Sequence, residues 1–401
     1  MDICIYSLTS SLHDENSTNK YSNDFLNRIK CDFIYKGQDF TDFGEHTLDL
    51  IYVRTGGTEG IFKQLLPQLK TKTKIFYLLT SGASNSLAAS MEILSYLNSN
   101  NLSGEIIHGD FEYINHRIDL LHSTNKAIRK LRGTRLGIIG SPSDWLIASD
   151  VDNKKISEKL GIEIINIPIE TVIEKYKTVK CSCTHKDLND PIGKYLDGAN
   201  KIYEALKEIV AEHSLNGLTI RCFDLLSTIE NTACLALARL NAEGIIAGCE
   251  GDIPSAITMM FAKVATGFSG FQANPSRINP TNGEMVFAHC TIPLNMVVRY
   301  ELDTHFESGI GVAIRGYSQT GPVTIFKISG GLDRFFADNA QLISCESKPN
   351  LCRTQQLIKL SSTEVAKYFL TNPIGNHHII VPGHNKELFT GILTNIIMCD
   401  N

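Results

Sequence analysis

Short apolar runs alternate with helical stretches up to about residue 267, and that alternation leaves few folds open to the chain. Ile3–Leu8, Asp49–Val53 and Lys74–Leu79 read as buried strands, and Ser86–Leu97 as an amphipathic helix. Strands separated by helices make a parallel sheet covered on both faces. The pattern restarts at Gly133-Thr134-Arg135-Leu136-Gly137-Ile138-Ile139-Gly140 and runs on through a strand at Ile162–Ile167 and a long helix at Gly193–His213. A strand at Leu218–Arg221, a helix at Asn231–Glu243 and a strand at Ile245–Cys249 follow. After Gly267, Gly, Pro and Asn become frequent around short β-rich runs at Met285–Ile292, Met296–Leu302, Val312–Gly316 and Pro322–Ser329, as in an antiparallel sheet or barrel. Helices are expected at Thr363–Leu370 and Asn385–Ile397. The expected architecture is two Rossmann-like α/β/α domains, over 1–132 and 133–268, and a β-rich, barrel-like domain over 269–401.

Composition narrows the function classes. Charged residues make up 20% and hydrophobic residues 43%, so the chain can bury a core throughout. The net charge of −5 is spread along the chain, which argues against nucleic-acid or anionic-membrane partners. No apolar run approaches the roughly 20 residues of a membrane-spanning helix. The eleven cysteines lack regular spacing, and Met1–Tyr6 reads as a strand rather than a signal peptide, so a reducing cytoplasm is the expected compartment. The Cys181-Ser182-Cys183 pair has no second pair at zinc-finger spacing.

Several loops lie where open α/β sheets bind ligands, past the carboxyl ends of strands. Arg54-Thr55-Gly56-Gly57-Thr58-Glu59-Gly60 and Thr80-Ser81-Gly82-Ala83-Ser84-Asn85 either face a ligand or simply make tight turns; neither carries a nucleotide-binding motif. Gly248-Cys249-Glu250-Gly251-Asp252-Ile253-Pro254 is more informative. Asp252 suits the N-cap of the helix containing Ser255–Val264, with Pro254 in its first turn. Capping does not account for Glu250, which would point into the crevice. Asn376-His377-His378 and Gly383-His384 add three histidines to one short stretch; side chains alternate on a strand, so only one of His377 and His378 can face a given site. His289 is a further candidate ligand. Trp145, in the Gly140–Trp145 loop, can pack or stack on a sugar ring, and Arg221 can bind an anionic group or form an ion pair.

Taken together, these residues resemble the L-fucose and L-arabinose isomerases over about residues 218–400. Cys249-Glu250-Gly251-Asp252 looks like the Glu-x-Asp turn of that family, and the Gly140–Trp145 loop is similar to one in shorter fucose-isomerase-like proteins. The resemblance implies a divalent metal, usually manganese, held by Glu250, by a second acidic position and by His377, with His289 joining in the arabinose branch. It also implies a monosaccharide substrate, with Trp145, Arg221, His378 and His384 as candidate contacts, and homo-oligomers, often hexamers. The second acidic position departs from the family: Phe271-Gln272-Ala273-Asn274 places an amide 24 residues after Glu250 (274 − 250), where the fucose isomerases carry Asp. Asn can ligate a metal through its carbonyl oxygen but cannot carry a proton. Three readings follow: Glu250 acts as the base, assisted by a metal-bound water or hydroxide; Asp252 or an acidic residue of Asp303-Thr304-His305-Phe306-Glu307 supplies the missing carboxylate; or the chain is a sugar-binding or sensing protein without turnover.

Overall fold

A computed structural model describes residues 2–149, 151–180 and 192–398; the Cys181–Cys183 pair lies outside them. The chain divides into two compact units, Met1–Arg129 with Gly391–Asn401, and Lys130–Thr390.

In the first unit, β1 (Ile3–Leu8), β2 (Ile34–Gly37), β3 (Leu48–Val53), β4 (Ile75–Leu79) and β5 (Ser103–Ile107) form a parallel sheet in the order β2-β1-β3-β4-β5. This is a doubly wound order whose direction of winding reverses between β1 and β3. Strand alternation sends Cys4, Tyr6 and Leu8 to one face, against α2 (Glu59–Leu69) and α3 (Ser86–Ser99). Ile3 and Ile5 pack on the other face with α1 (Glu15–Leu26) and α4 (Phe111–Leu131). Each fully buried Leu or Ile among them contributes about 1.5–3 kcal/mol. Strands β2 and β5 escaped the sequence reading because Ile34-Tyr35-Lys36-Gly37 and Ser103-Gly104-Glu105 lack a continuous apolar run.

The second unit holds another parallel sheet, β6 (Arg135–Ile139), β7 (Glu163–Ile167), β8 (Gly217–Ile220) and β9 (Ile246–Gly248), in the order β7-β6-β8-β9. Its helices are α5 (Asn153–Leu160), α6 (Ile169–Thr178), α7 (Gly193–His213), α8 (Asp224–Thr228), α9 (Cys234–Ala242) and α10 (Ile253–Thr266). The expected antiparallel region is a closed barrel. Strand β10 (Phe271–Asn279) is followed by β11 (Glu284–His289), the separate ribbon β12 (Arg299–Asp303) and β13 (Ala313–Tyr317), then β14 (Gly321–Ile328), β15 (Phe335–Glu346), β16 (Thr354–Leu360) and β17 (His378–Pro382). The barrel order is β10-β11-β16-β15-β14-β17. Closure leaves the six barrel strands no free edge. Pro275 hid β10 in the sequence, since proline breaks a ladder; here it sits at a register shift, where a missing N–H is tolerated. The helices after the barrel strands are α11 (Thr363–Thr371) and α12 (Lys386–Met398). No described helix is long and apolar enough to cross a membrane.

Candidate metal centre

Strand β9 ends at Gly248 and the chain turns at once into α10. Asp252 caps that helix, accepting from the Ser255 backbone N–H at 2.8 Å and the Ser255 hydroxyl at 2.7 Å. Between them Glu250 is held at φ 64°, a left-handed conformation that costs a non-glycine residue about 1–3 kcal/mol and persists only where neighbours enforce it. Three contacts do so. The Gln272 side chain clamps the preceding residue, accepting from Cys249 N–H at 2.8 Å and donating to its carbonyl at 3.3 Å. The Gly251 N–H donates to the Ile220 carbonyl at 2.8 Å, and the Ser143 N–H donates to the Glu250 carbonyl at 3.0 Å. Gly251 itself is required: at φ 68°, a Cβ there would lie 2.5 Å from the Ser141 carbonyl oxygen.

The Glu250 carboxylate is 7% exposed and meets three side chains. The Trp145 indole N–H donates to Oε2 at 2.6 Å. His289 Nε2 and His377 Nε2 each lie 3.4 Å from Oε1, and the two imidazole rings meet edge to face at 5.3 Å. Thr291 Oγ1 pairs with His289 Nδ1 at 3.1 Å, and His377 Nδ1 donates to Asp252 Oδ2 at 2.8 Å, which aims both Nε2 atoms at Glu250. A carboxylate behind a histidine is the arrangement that orients metal-ligating imidazoles.

Burial would raise the Glu250 carboxyl, but His289 and His377 outweigh it and hold it well below the usual carboxylate range. For Asp252 burial is again outweighed, by Lys327 and then His377. Burial opposes charge on His377, yet Asp252 and Glu250 raise it to about 9. Lys327, fully buried on β14, donates to the Ser255 hydroxyl at 2.8 Å and lies 3.6 Å from Asp252 Oδ2; burial lowers its ammonium.

One donor of each of Glu250, His289 and His377 falls within 4.8 Å of the others. His377 Nε2 is buried without a hydrogen-bond partner, its 3.4 Å approach to Glu250 being poorly directed. An orphaned imidazole nitrogen facing a second imidazole and an anionic carboxylate is the donor set that divalent transition metals take. The residues therefore fit a metal ion. Beside them opens a cavity whose wall includes Glu250, Asn274, His289, His305 and Glu307.

The structure brings some of the sequence candidates together and places others elsewhere. Asn274 lines the cavity, with its Oδ1 accepting from Asn376 at 3.0 Å. Asp252 is sealed at 0% exposure, so it positions His377 rather than meeting a substrate. Trp145 reaches the site by its N–H, with its ring edge-on to Phe223 at 4.8 Å. Arg221 forms ion pairs with Asp144 at 2.8 Å and Asp224 at 3.1 Å and donates to the Pro142 carbonyl, so it ties down the Trp145 loop. His378 packs among Phe336, Tyr368 and Phe369, where burial lowers it to about 3. His384 pairs with the Ala340 carbonyl at 3.3 Å. Neither histidine is in the cavity wall; strand alternation turns His378 away from its neighbour His377, and His384 lies past the end of β17. Gln272 and Lys327 were missed: a strand lysine reads as solvent-facing unless the acid that pairs with it is known.

No protein-family profile matches the chain. A sulfoquinovose isomerase of Alkalicoccus urumqiensis is 22% identical over 261 residues, which is 61% of this chain and 59% of that protein. A sulfoquinovose isomerase of Clostridium sp. (strain MSTE9) is 21% identical over 227 residues, 54% of this chain and 49% of that protein. One of Priestia aryabhattai is 21% identical over 223 residues, 51% and 49%. The matched region thus spans about half the length of these curated relatives. The matches support a sugar isomerase family and do not single out the L-fucose isomerases.

Proposed function

We propose that the chain is a metal-dependent aldose–ketose isomerase acting on a modified monosaccharide, sulfoquinovose being the first candidate because the relatives carry that name. The convergence of Glu250, His289 and His377 on one point, with His377 Nε2 orphaned, carries the reading. These three residues would hold the ion, for which manganese is our assignment, and Asn274 is the neighbouring carbonyl donor. The ion's chemistry is to polarise the sugar carbonyl and stabilise the charge that builds up on its oxygen.

Isomerisation through an enediol moves a proton between adjacent carbons, and a carboxylate near C2 is the group that can take and return it. Of the acidic candidates, Asp252 is sealed behind His377, and Asp303 is paired with Arg315 at 2.7 Å and Arg353 at 3.3 Å. Both Glu250 oxygens are engaged, Oε2 by the Trp145 indole N–H and Oε1 beside the two histidine Nε2 atoms where the ion would sit. Glu307 is the other carboxylate in the cavity wall, and we assign it the carbon-bound proton. Glu250 then holds the ion, with the Trp145 indole N–H fixing its second oxygen. Asn274 favours a second reading, a sugar-binding protein without turnover. Manganese-supplied protein incubated with sulfoquinovose and a panel of aldoses separates the two. Ketose formation that Glu307→Gln abolishes, with sugar affinity kept, supports the enzyme; sugar binding with no ketose from any substrate supports the binder.

A further inference from the structure

Five of the eight described cysteines line the cavity beside Glu250: Cys222, Cys234, Cys249, Cys290 and Cys352. Two of these adjoin proposed ligands in the chain, Cys249 before Glu250 and Cys290 after His289. Neither the proposed metal set nor the proton transfer uses a thiol, so this concentration calls for another account.

Cys222 and Cys249 carry it furthest, with their Sγ atoms 3.1 Å apart. Their nearness follows from topology. Strands β8 and β9 are parallel neighbours in the register Thr219↔Gly248, and both cysteines lie just past the carboxyl ends of those strands. A small oxidant that enters the cavity meets both. Cys249 is also mechanically joined to the metal centre: it shares a peptide bond with Glu250, whose left-handed conformation depends on the Gln272 clamp on Cys249 and on the Gly251 bond to Ile220.

We infer that Cys222 and Cys249 form a reversible disulfide when a hydroperoxide enters the cavity, and that closing this bond draws the Glu250 carboxylate away from His289 and His377. Cys222, at 8% exposure the more open thiol, attacks the peroxide; the O–O bond breaks, a sulfenic acid forms on Cys222, and water or an alcohol leaves. Cys249 Sγ then attacks the Cys222 sulfur; the S–S bond forms, the S–O bond breaks, and the Cys249 proton departs with the hydroxide as water. The two thiols lose two electrons and two protons, and the hydroperoxide is reduced. A dithiol reductant restores both thiols by exchange. The link between this disulfide and activity rests on the metal reading above; the disulfide itself does not.

Trp145 makes the test direct. It is the chain's single tryptophan and its indole N–H binds Glu250 Oε2 at 2.6 Å, so its emission reports the carboxylate's position. The full chain is treated with hydrogen peroxide, digested without reduction and mapped by mass spectrometry, with Trp145 emission followed in parallel. The expected result is a Cys222–Cys249 linked peptide and an emission shift, both reversed by dithiothreitol. Cys222→Ser, compared with its own reduced form, shows neither. The inference is overturned if both cysteines remain open to alkylation after peroxide, if the link joins another pair, or if the link leaves Trp145 emission unchanged. Neither readout needs metal or turnover. A protein that forms the link but binds no manganese when reduced counts against the metal reading and for this one; manganese binding without the link does the reverse.

Discussion

The two parallel sheets end in different ways. In the first unit, the loops after β3 and β4 satisfy themselves with neutral partners. Arg54 donates to Ser22, Thr9 and Asn19 side chains, Thr58 Oγ1 donates to the Thr55 carbonyl, and Thr80 Oγ1 donates to Ser86 Oγ at 2.7 Å. Glycines and left-handed Ser84 and Asn85 make the turns. In the second unit, the loop after β9 buries two carboxylates among two histidines and a lysine, and leaves one imidazole nitrogen unpartnered. Small-residue loops at strand ends thus serve as turns in one unit and as a scaffold for charge in the other. The distinguishing feature is an acid that capping and turn geometry do not account for.

Four substitutions test this contrast, ordered by expected effect. Glu250→Gln removes the only anionic donor of the set and should weaken manganese binding by at least about 100-fold, beyond the roughly 10–100-fold typical of outer-shell changes; calorimetric titration measures it. Asp252→Asn keeps a good helix cap but loses the charge behind His377, so manganese affinity should fall by about 10–100-fold with helical circular dichroism retained. Asn274→Asp adds a charged oxygen to the cavity wall and should act in the opposite direction, tightening manganese binding a few-fold, since affinity rises with ligand charge; tightening in the same titration places residue 274 beside the ion, and weakening removes it. Thr80→Val in the first unit should leave manganese affinity unchanged while costing about 1–3 kcal/mol in urea unfolding, because it leaves the Ser86 hydroxyl short of a partner. An effect of Thr80→Val on metal binding would break the contrast.

What was legible in the sequence was local. Glu250 at a strand's carboxyl end, Asp252 as a cap and the helices at Gly193–His213 and Thr363–Leu370 follow from patterns within a few residues. Contacts made across a hundred residues left no such trace. Trp145 and Glu250 are 105 positions apart, and Asp252 and His377 are 125 apart, so neither the indole hydrogen bond nor the histidine's orienting carboxylate could be read in advance. Strand β16, Thr354-Gln355-Gln356-Leu357-Ile358-Lys359-Leu360, was hidden for another reason: Gln355 and Gln356 are polar but buried, their amides held by the Lys348 and Cys352 carbonyls and by Ser318. The cysteine pair was invisible for the same reason as the lysine, since Cys222 and Cys249 meet only through the register of two adjacent strands.

The central claim is that Glu250, His289 and His377 bind one divalent ion. Crystals of the protein grown with manganese and measured on both sides of the manganese absorption edge test it most directly. The account predicts one strong anomalous peak within coordination distance of Glu250, His289 Nε2 and His377 Nε2; a cavity with no anomalous peak, or a peak held by other residues, would contradict it.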